Sequence, residues 1–177
     1  MYGMIIKSKL SKFDDRIVRL NAGIIIVVML ILGYISQIAL SLILDLFQLL
    51  LVGTVINQEH DFLATKGLVS LAIVGCLIAP LLETLFLQCA PIRICQKSLH
   101  WPRSRAIFVS ALLFGVLHSY SVGYVVAMFG TGLAFAYAFT VFDKKGSNPV
   151  LWVTILHTAR NGISLIFWYF RLNPHSL

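Results

Sequence analysis

Five apolar runs dominate this chain and restrict it to one class of fold. A helix needs about 20 apolar residues to cross the hydrocarbon core of a bilayer. Of all residues, 59% are hydrophobic and only 12% are charged, about half the charged share of a soluble domain. No alternating ten-residue pattern of a membrane barrel is present. The sequence therefore predicts an all-α, polytopic membrane protein with about five to six transmembrane helices, drawn from the runs at 21–56, 66–92, 106–118, 121–142 and 149–170.

The connections between the runs are short, and no internal repeat or long linker divides the chain. The third run is too short for a span, but proline suits the first turn of a helix, so Pro102 predicts an earlier helix start. Residues 119–121 and 143–149 are predicted turns. We expect one integral membrane domain over residues 1–177.

The net charge of +7 is distributed as a topology signal rather than as one basic patch. Basic residues cluster at 1–20, 93–105 and 144–145, which the positive-inside rule assigns to the cytoplasm. The acidic segment 57–64 is then external. We therefore predict a multi-pass protein of the cell membrane with a cytoplasmic N-terminus. The expected partners are membrane lipid and a membrane-associated peptide or protein substrate, and nucleic acid is not expected.

The first apolar run connects the cytoplasmic N-terminus to the external segment 57–64, so its 36 residues must cross the membrane an odd number of times. We predict one span over 21–43. A second apolar piece, which carries Asp45 and Gln48, is predicted to lie along the interface or to re-enter the bilayer.

Four polar side chains lie deep inside three of the apolar runs: Glu83, His118, His157 and Asn161. A polar group at that depth is costly unless it is partnered or used. Counted inward from the nearest polar end of each helix at about 1.5 Å per residue, the carboxylate and both imidazoles lie roughly 14–20 Å deep. That is near the middle of a core about 30 Å thick. Three helices are thus expected to bring these groups to one level.

The chemistry of the four residues suits hydrolysis. Glu83 is the only acidic residue near the middle of a run, and a carboxylate in a dry setting can serve as a general base. His118 follows Phe114 by four residues, so the two rings share a helix face. His157 and Asn161 have the same spacing, and both could donate to one oxygen, as an oxyanion hole must.

Each residue also has a structural interpretation. Glu83 could be half of an ion pair with Arg160, the only basic residue deep in a run. Asn161 could simply join helices, as asparagine does in membranes. Glu83, His118 and His157 could equally form a three-ligand zinc site with an open position. The residues alone leave metal-dependent and metal-free chemistry open.

In this order, the Glu83 segment, the Phe114–His118 spacing and the His157–Asn161 spacing resemble the three motifs of the CPBP intramembrane proteases. That family includes the CAAX prenyl endopeptidases and bacterial proteins linked to bacteriocin processing and self-immunity. The resemblance covers about residues 79–165, which would form the catalytic core. It implies a helical bundle like that of the CAAX prenyl endopeptidases.

The resemblance also implies roles for the four residues. Glu83 would activate the attacking water, with His118 helping to orient or polarise it. His157 and Asn161 would stabilise the tetrahedral oxyanion. Members of the family are commonly called metalloproteases, so a divalent metal such as zinc stays possible beside a metal-free mechanism.

The chain departs from the family pattern at two positions. The family usually has two adjacent glutamates and, five residues after the first, an arginine; here these positions hold Glu83, Thr84 and Gln88. Thr84 and Gln88 lie four residues apart, so we predict an uncharged hydrogen-bonded pair. Arg160 is then predicted to supply the positive charge that compensates Glu83 from the opposite helix.

Two functions of different classes follow. The first is an intramembrane endopeptidase. The second is a non-catalytic membrane adaptor or bacteriocin self-immunity protein that keeps the fold, an alternative that the departures at Thr84 and Gln88 favour. A small transporter with a proton relay is disfavoured, because many transporters are built from repeats.

Overall fold

The computed structural model describes residues 14–52 and 67–172, which form six helices. A short helix, α1, covers 14–19. The others, α2 to α6 in chain order, are Ala22–Val52, Leu68–Ser98, Arg103–Leu117, Val122–Lys144 and Pro149–Leu172. The all-α membrane fold is therefore confirmed. Every predicted apolar run forms a helix, and Pro102 directly precedes α4 as expected.

Four of the helices, α2, α3, α5 and α6, are long and apolar enough to cross a membrane. With 15 residues, α4 is shorter than a span. The predicted break in the first run is wrong, because α2 continues without interruption to Val52. Its 31 residues give a helix about 46 Å long. The predicted external loop at 57–64 and most of the basic N-terminus lie outside the described residues.

Helix α5 forms the centre of the bundle. In its most apolar stretch 72% of the residues are buried, against 17% in each of the other three candidate spans. Glycine and alanine at the crossing points allow the close approach of neighbouring backbones. A Cβ on Gly130 would lie 2.9 Å from the Ser36 carbonyl carbon of α2, and one on Gly132 would lie 3.0 Å from Ala111 Cα of α4. The outer helices present exposed leucine, isoleucine and phenylalanine, as lipid contact requires.

Ion pairs gather at one end of the bundle, which we call the basic end. Arg93 of α3 donates to both carboxylate oxygens of Asp143 on α5. Arg103 at the start of α4 pairs with Asp14 of α1. Lys144 donates to Asp15 at 2.9 Å and thereby lowers the pKa of that carboxyl. The ion pairs of the basic end thus join α1 to α4 and α5, and α3 to α5.

Candidate active site

Glu83 of α3 lies between the two histidines that the sequence singles out. Its Oε2 is 3.5 Å from Nε2 of His118 on α4 and 3.7 Å from Nε2 of His157 on α6. The side chains of Glu83 and His118 keep 27% and 19% of their exposure, whereas that of His157 keeps only 2%. Three helices therefore do bring these groups to one level, with Glu83 and His118 on the accessible side.

His118 is oriented by the end of its own helix. It is the residue after α4, where the backbone leaves the helical conformation with φ −98° and ψ 44°. Its Nδ1 is 2.6 Å from the Phe114 carbonyl oxygen. A carbonyl can only accept, so Nδ1 carries a proton, and in the neutral imidazole Nε2 is then the acceptor atom on the side of Glu83. The sequence expectation that Phe114 and His118 share a face is confirmed, since their rings are 4.5 Å apart.

His157 is held by aromatic packing. Its ring centroid lies 5.6 Å from that of Phe114 and 4.6 Å from that of Phe135 on α5. Both phenylalanines are 1% exposed. Its Nδ1 is buried and has no hydrogen-bond partner among the described residues. Packing thus fixes the position of the imidazole, while none of these contacts selects which ring nitrogen carries the proton.

Helix α3 carries Glu83 in an unusual backbone. The π-helical segments Leu71–Ile78, Thr84–Cys89 and Ile94–Ser98 alternate with α-helical turns that contain Pro80 and Pro91. Short π-helical segments are frequent at functional sites. Proline removes a backbone donor, and the wider π turn shifts the acceptor of each N–H by one residue. Some carbonyls of α3 are therefore released to bind other helices.

Asn161 of α6 uses one of these released carbonyls. Its Nδ2 donates to Gly75 O at 2.8 Å. In an α-helix the Ala79 N–H would donate to Gly75 O, but here it donates to Val74 O, one residue further back. Pro80 would be the next donor to Gly75 O, and it has no N–H. Asn161 therefore joins α6 to α3, as its structural interpretation anticipated. The carboxamide has a second N–H, so the predicted oxyanion role stays a prediction.

Arg160 lies in a polar cluster that the sequence analysis missed. Its guanidinium donates to Gln37 Oε1 of α2 at 2.8 Å, and Thr131 of α5 lies 3.5 Å away. Tyr34 of α2 donates to the Arg160 carbonyl oxygen and contacts Ser164. Gln37 was the available signal, as a carboxamide inside the first apolar run. Among the described residues Arg160 forms no ion pair with Glu83, so the compensation we predicted would have to act over a longer distance.

The Gln37 contact allows a stability test of this cluster. Gln37→Leu leaves the guanidinium without its shortest acceptor, and we expect a loss of about 1–2 kcal/mol in the free energy of unfolding, measured in mixed micelles. Gln37→Glu restores an acceptor, now charged, and should unfold at or above the wild-type denaturant midpoint. Equal losses in both variants would contradict this assignment.

Thr84 and Gln88 are completely buried on α3. We predicted a hydrogen bond between them, and this is wrong. The Thr84 hydroxyl and both polar atoms of the Gln88 carboxamide have no partner in the described part of the chain. The π register explains the failure, because positions four residues apart no longer lie directly above one another when the turn is wider than an α turn.

A cavity of about 310 Å³ opens beside Glu83 and His118. Its remaining walls are apolar or aromatic and come from α3 and the end of α4, namely Leu82, Phe86, Leu87, Leu117 and Tyr120. A small number of polar groups in an otherwise apolar cleft is typical of a ligand site. The Glu83 carboxylate therefore borders a cavity whose other walls are apolar or aromatic.

The described side chains do not fit the metal alternative. A zinc site with an open position needs three protein ligands at about 2.0–2.2 Å from one point. Within 14–52 and 67–172, no group of three His, Cys, Asp or Glu side chains is arranged to hold a metal ion. Glu83, His118 and His157 are close to one another but do not form such a group.

A bundle of apolar helices around one carboxylate and two imidazoles defines a polytopic membrane protein with a polar site inside the bilayer. The profile of the family described as type II CAAX prenyl endopeptidase Rce1-like matches residues 65–163, more than half of the chain. The protein belongs to this family and is a CAAX-type intramembrane protease in general terms. No curated protein and no solved structure matches the chain significantly.

Proposed function

We propose that this protein is an intramembrane endopeptidase that hydrolyses a peptide bond with a water molecule activated by Glu83. The observation that carries the proposal is the approach of Glu83 Oε2 to Nε2 of both His118 and His157. A general base must lie within hydrogen-bond reach of the proton it removes, and we place the water molecule beside Glu83 Oε2 and the two Nε2 atoms, where it can reach the carboxylate and an imidazole together.

The reaction follows in two proton transfers. Glu83 takes a proton from water while the water oxygen bonds to the peptide carbonyl carbon, and His118 Nε2 accepts the other water proton as a hydrogen bond. His157 Nε2–H and the second N–H of Asn161 donate to the oxyanion. Glu83 then returns its proton to the leaving nitrogen, the C–N bond breaks, and a carboxylic acid and an amine leave.

The substrate we propose is a membrane-associated peptide or protein. The cavity beside Glu83 and His118 has apolar walls, so it suits an apolar segment that reaches the site from the bilayer. We place the basic end at the cytoplasmic face of the cell membrane, in line with the positive-inside rule. Membrane lipid would surround the exposed apolar side chains.

The second candidate is a non-catalytic adaptor or self-immunity protein that keeps the fold. Two observations favour it: Asn161 is used in joining α3 to α6, and Thr84 and Gln88 replace charged residues of the family pattern. In this alternative Glu83 and the histidines contribute only to packing.

The termini of proteins in cells that express wild type or Glu83→Gln at equal membrane levels distinguish the two. A protease should produce new termini that depend on Glu83 and so identify its substrate. Asp45→Asn is the matched control, because it removes a carboxylate from an apolar stretch of α2 that contributes nothing to the site. Identical termini in all three strains would reject the endopeptidase and favour the adaptor.

A further inference from the structure

Six buried polar atoms without a hydrogen-bond partner in the described chain lie on α3 and α6. One is Glu83 Oε2, which faces the two histidines, and the other five are the Thr84 hydroxyl, both polar atoms of Gln88, the Thr154 hydroxyl and His157 Nδ1. Buried polar groups in folded proteins are almost always hydrogen-bonded, to protein or to internal water. Five exceptions on two neighbouring helices need a common explanation.

The register between α3 and α6 places these atoms at similar heights in the bundle. The two helices run antiparallel, as the contacts Glu83–His157 and Gly75–Asn161 establish. From the Glu83–His157 contact toward the basic end, Gln88 is five residues along α3 and Thr154 three residues along α6. At about 1.5 Å per residue, and less in the wider π turn, the two differ by no more than about 3 Å in height. Thr84 is adjacent to Glu83, so all four residues fall within five residues of the Glu83–His157 contact, at it or on its basic side.

The chemistry of the set matches water. An internal water molecule needs two to four polar partners, and it both donates and accepts. The Gln88 carboxamide offers two donors and an acceptor, each threonine hydroxyl offers both, and His157 Nδ1 can do either. None of these five atoms belongs to a charged side chain, so a neutral ligand is favoured over an ion.

We propose that Thr84, Gln88, Thr154 and His157 hold an internal water site on the basic side of Glu83. Its water donates to His157 Nδ1, which leaves the proton of the neutral imidazole on Nε2, where it faces the reacting carbonyl. The same site stores water for hydrolysis within the bilayer. This storage role rests on the proposed endopeptidase function, whereas the water site itself does not.

Isosteric substitutions test whether the interface between α3 and α6 contains water. Thr84→Val and Gln88→Met each remove polar atoms at nearly constant volume. In a hydrated site they remove ligands of the water, so the thermal midpoint of unfolding in lipid nanodiscs should fall by several degrees. In a dry interface they replace unpartnered buried polar atoms with apolar ones, so the thermal midpoint should rise. A rise would overturn the proposal. Thr158→Val, also on α6 but only partly buried, is the control for loss of a hydroxyl.

Solid-state NMR gives a second readout that does not depend on folding stability. Magnetisation should pass from water protons to the Gln88 side-chain amide and to the His157 ring nitrogens in the wild type. Gln88→Met should change the ¹⁵N shifts of His157, while Thr158→Val leaves them unchanged. Absence of the transfer would overturn the water site.

The water site and the endopeptidase function can be rejected independently of each other. Water transfer to His157 together with termini that do not depend on Glu83 would keep the water site and reject the endopeptidase. If the termini do depend on Glu83, Gln88→Met should lower kcat about tenfold with little change in KM. An unchanged kcat would overturn the role of the site in hydrolysis.

Discussion

Glu83→Gln protein, purified and reconstituted in lipid, is expected to cleave a substrate identified from cellular termini about 10³-fold more slowly than wild type. The amide keeps the size and the polarity of the side chain but cannot take a proton from water, and general-base catalysis contributes about 10²–10⁴-fold. Single-turnover cleavage, followed by mass spectrometry of the products, measures the effect.

Glu83→Asp tests the position of the carboxylate separately from its ability to accept a proton. It keeps the carboxylate but draws it back by one methylene from the histidines, whose Nε2 atoms are 3.5 and 3.7 Å from Oε2 in the wild type. A misplacement of about 1 Å can cost about 10²-fold. We therefore expect Glu83→Asp to lie between Glu83→Gln and wild type. Rates for Glu83→Gln within tenfold of the Asp45→Asn control would remove Glu83 from the mechanism.

Gly132→Val is expected to disrupt the bundle and the site together. A Cβ at position 132 would lie 3.0 Å from Ala111 Cα, 3.0 Å from Phe114 Cβ and 3.1 Å from Ala111 O. Two of these atoms are backbone and cannot move without displacing α4. Overpacking of this kind costs about 1–3 kcal/mol or more. Because α4 also carries His118, peptide cleavage should fall as well, although Glu83 is unchanged.

Gly162→Val on α6 is the matched control, because a Cβ there meets nothing within 4 Å. Denaturant midpoints and cleavage rates of the two variants should differ clearly, with Gly162→Val close to wild type. If both glycines tolerate valine equally, the crossing of α4 and α5 is looser than the contacts of Gly132 indicate.

The common depth of Glu83, His118 and His157 along their helices could be predicted from the sequence. A helix rises by a constant amount per residue, and the basic residues mark the same end of each helix. The start of α4 near Pro102 was predicted from the preference of proline for the first turn of a helix. Neither argument could predict contacts across helices. Gln37 reaches Arg160 from a helix 123 positions earlier in the chain, and nothing in the spacing of either residue indicates that pair.

Two features of α3 could not be predicted from regular α-helical geometry. The pair of Thr84 and Gln88 was predicted from α-helical spacing, and the π-helical segment Thr84–Cys89 removes that spacing. The link from Asn161 to Gly75 depends on a carbonyl that only an irregular helix releases. Pro80 and Pro91 indicate in the sequence that α3 lacks two backbone donors. They do not indicate which hydrogen-bond register, α or π, the neighbouring turns adopt.

The backbone of α3 also bears on how this protein can change over generations. A π-helical segment such as Leu71–Ile78 corresponds to a helix that holds one residue more than its α-helical equivalent. Loss of a single codon there would allow the α form, in which the Ala79 N–H donates to Gly75 O instead of Val74 O. The Gly75 carbonyl would then be used within α3 and no longer released for Asn161. The number of residues in this segment thus decides whether the backbone of α3 binds α6, and a deletion of one residue is expected to weaken that contact even when every polar side chain of the site is kept.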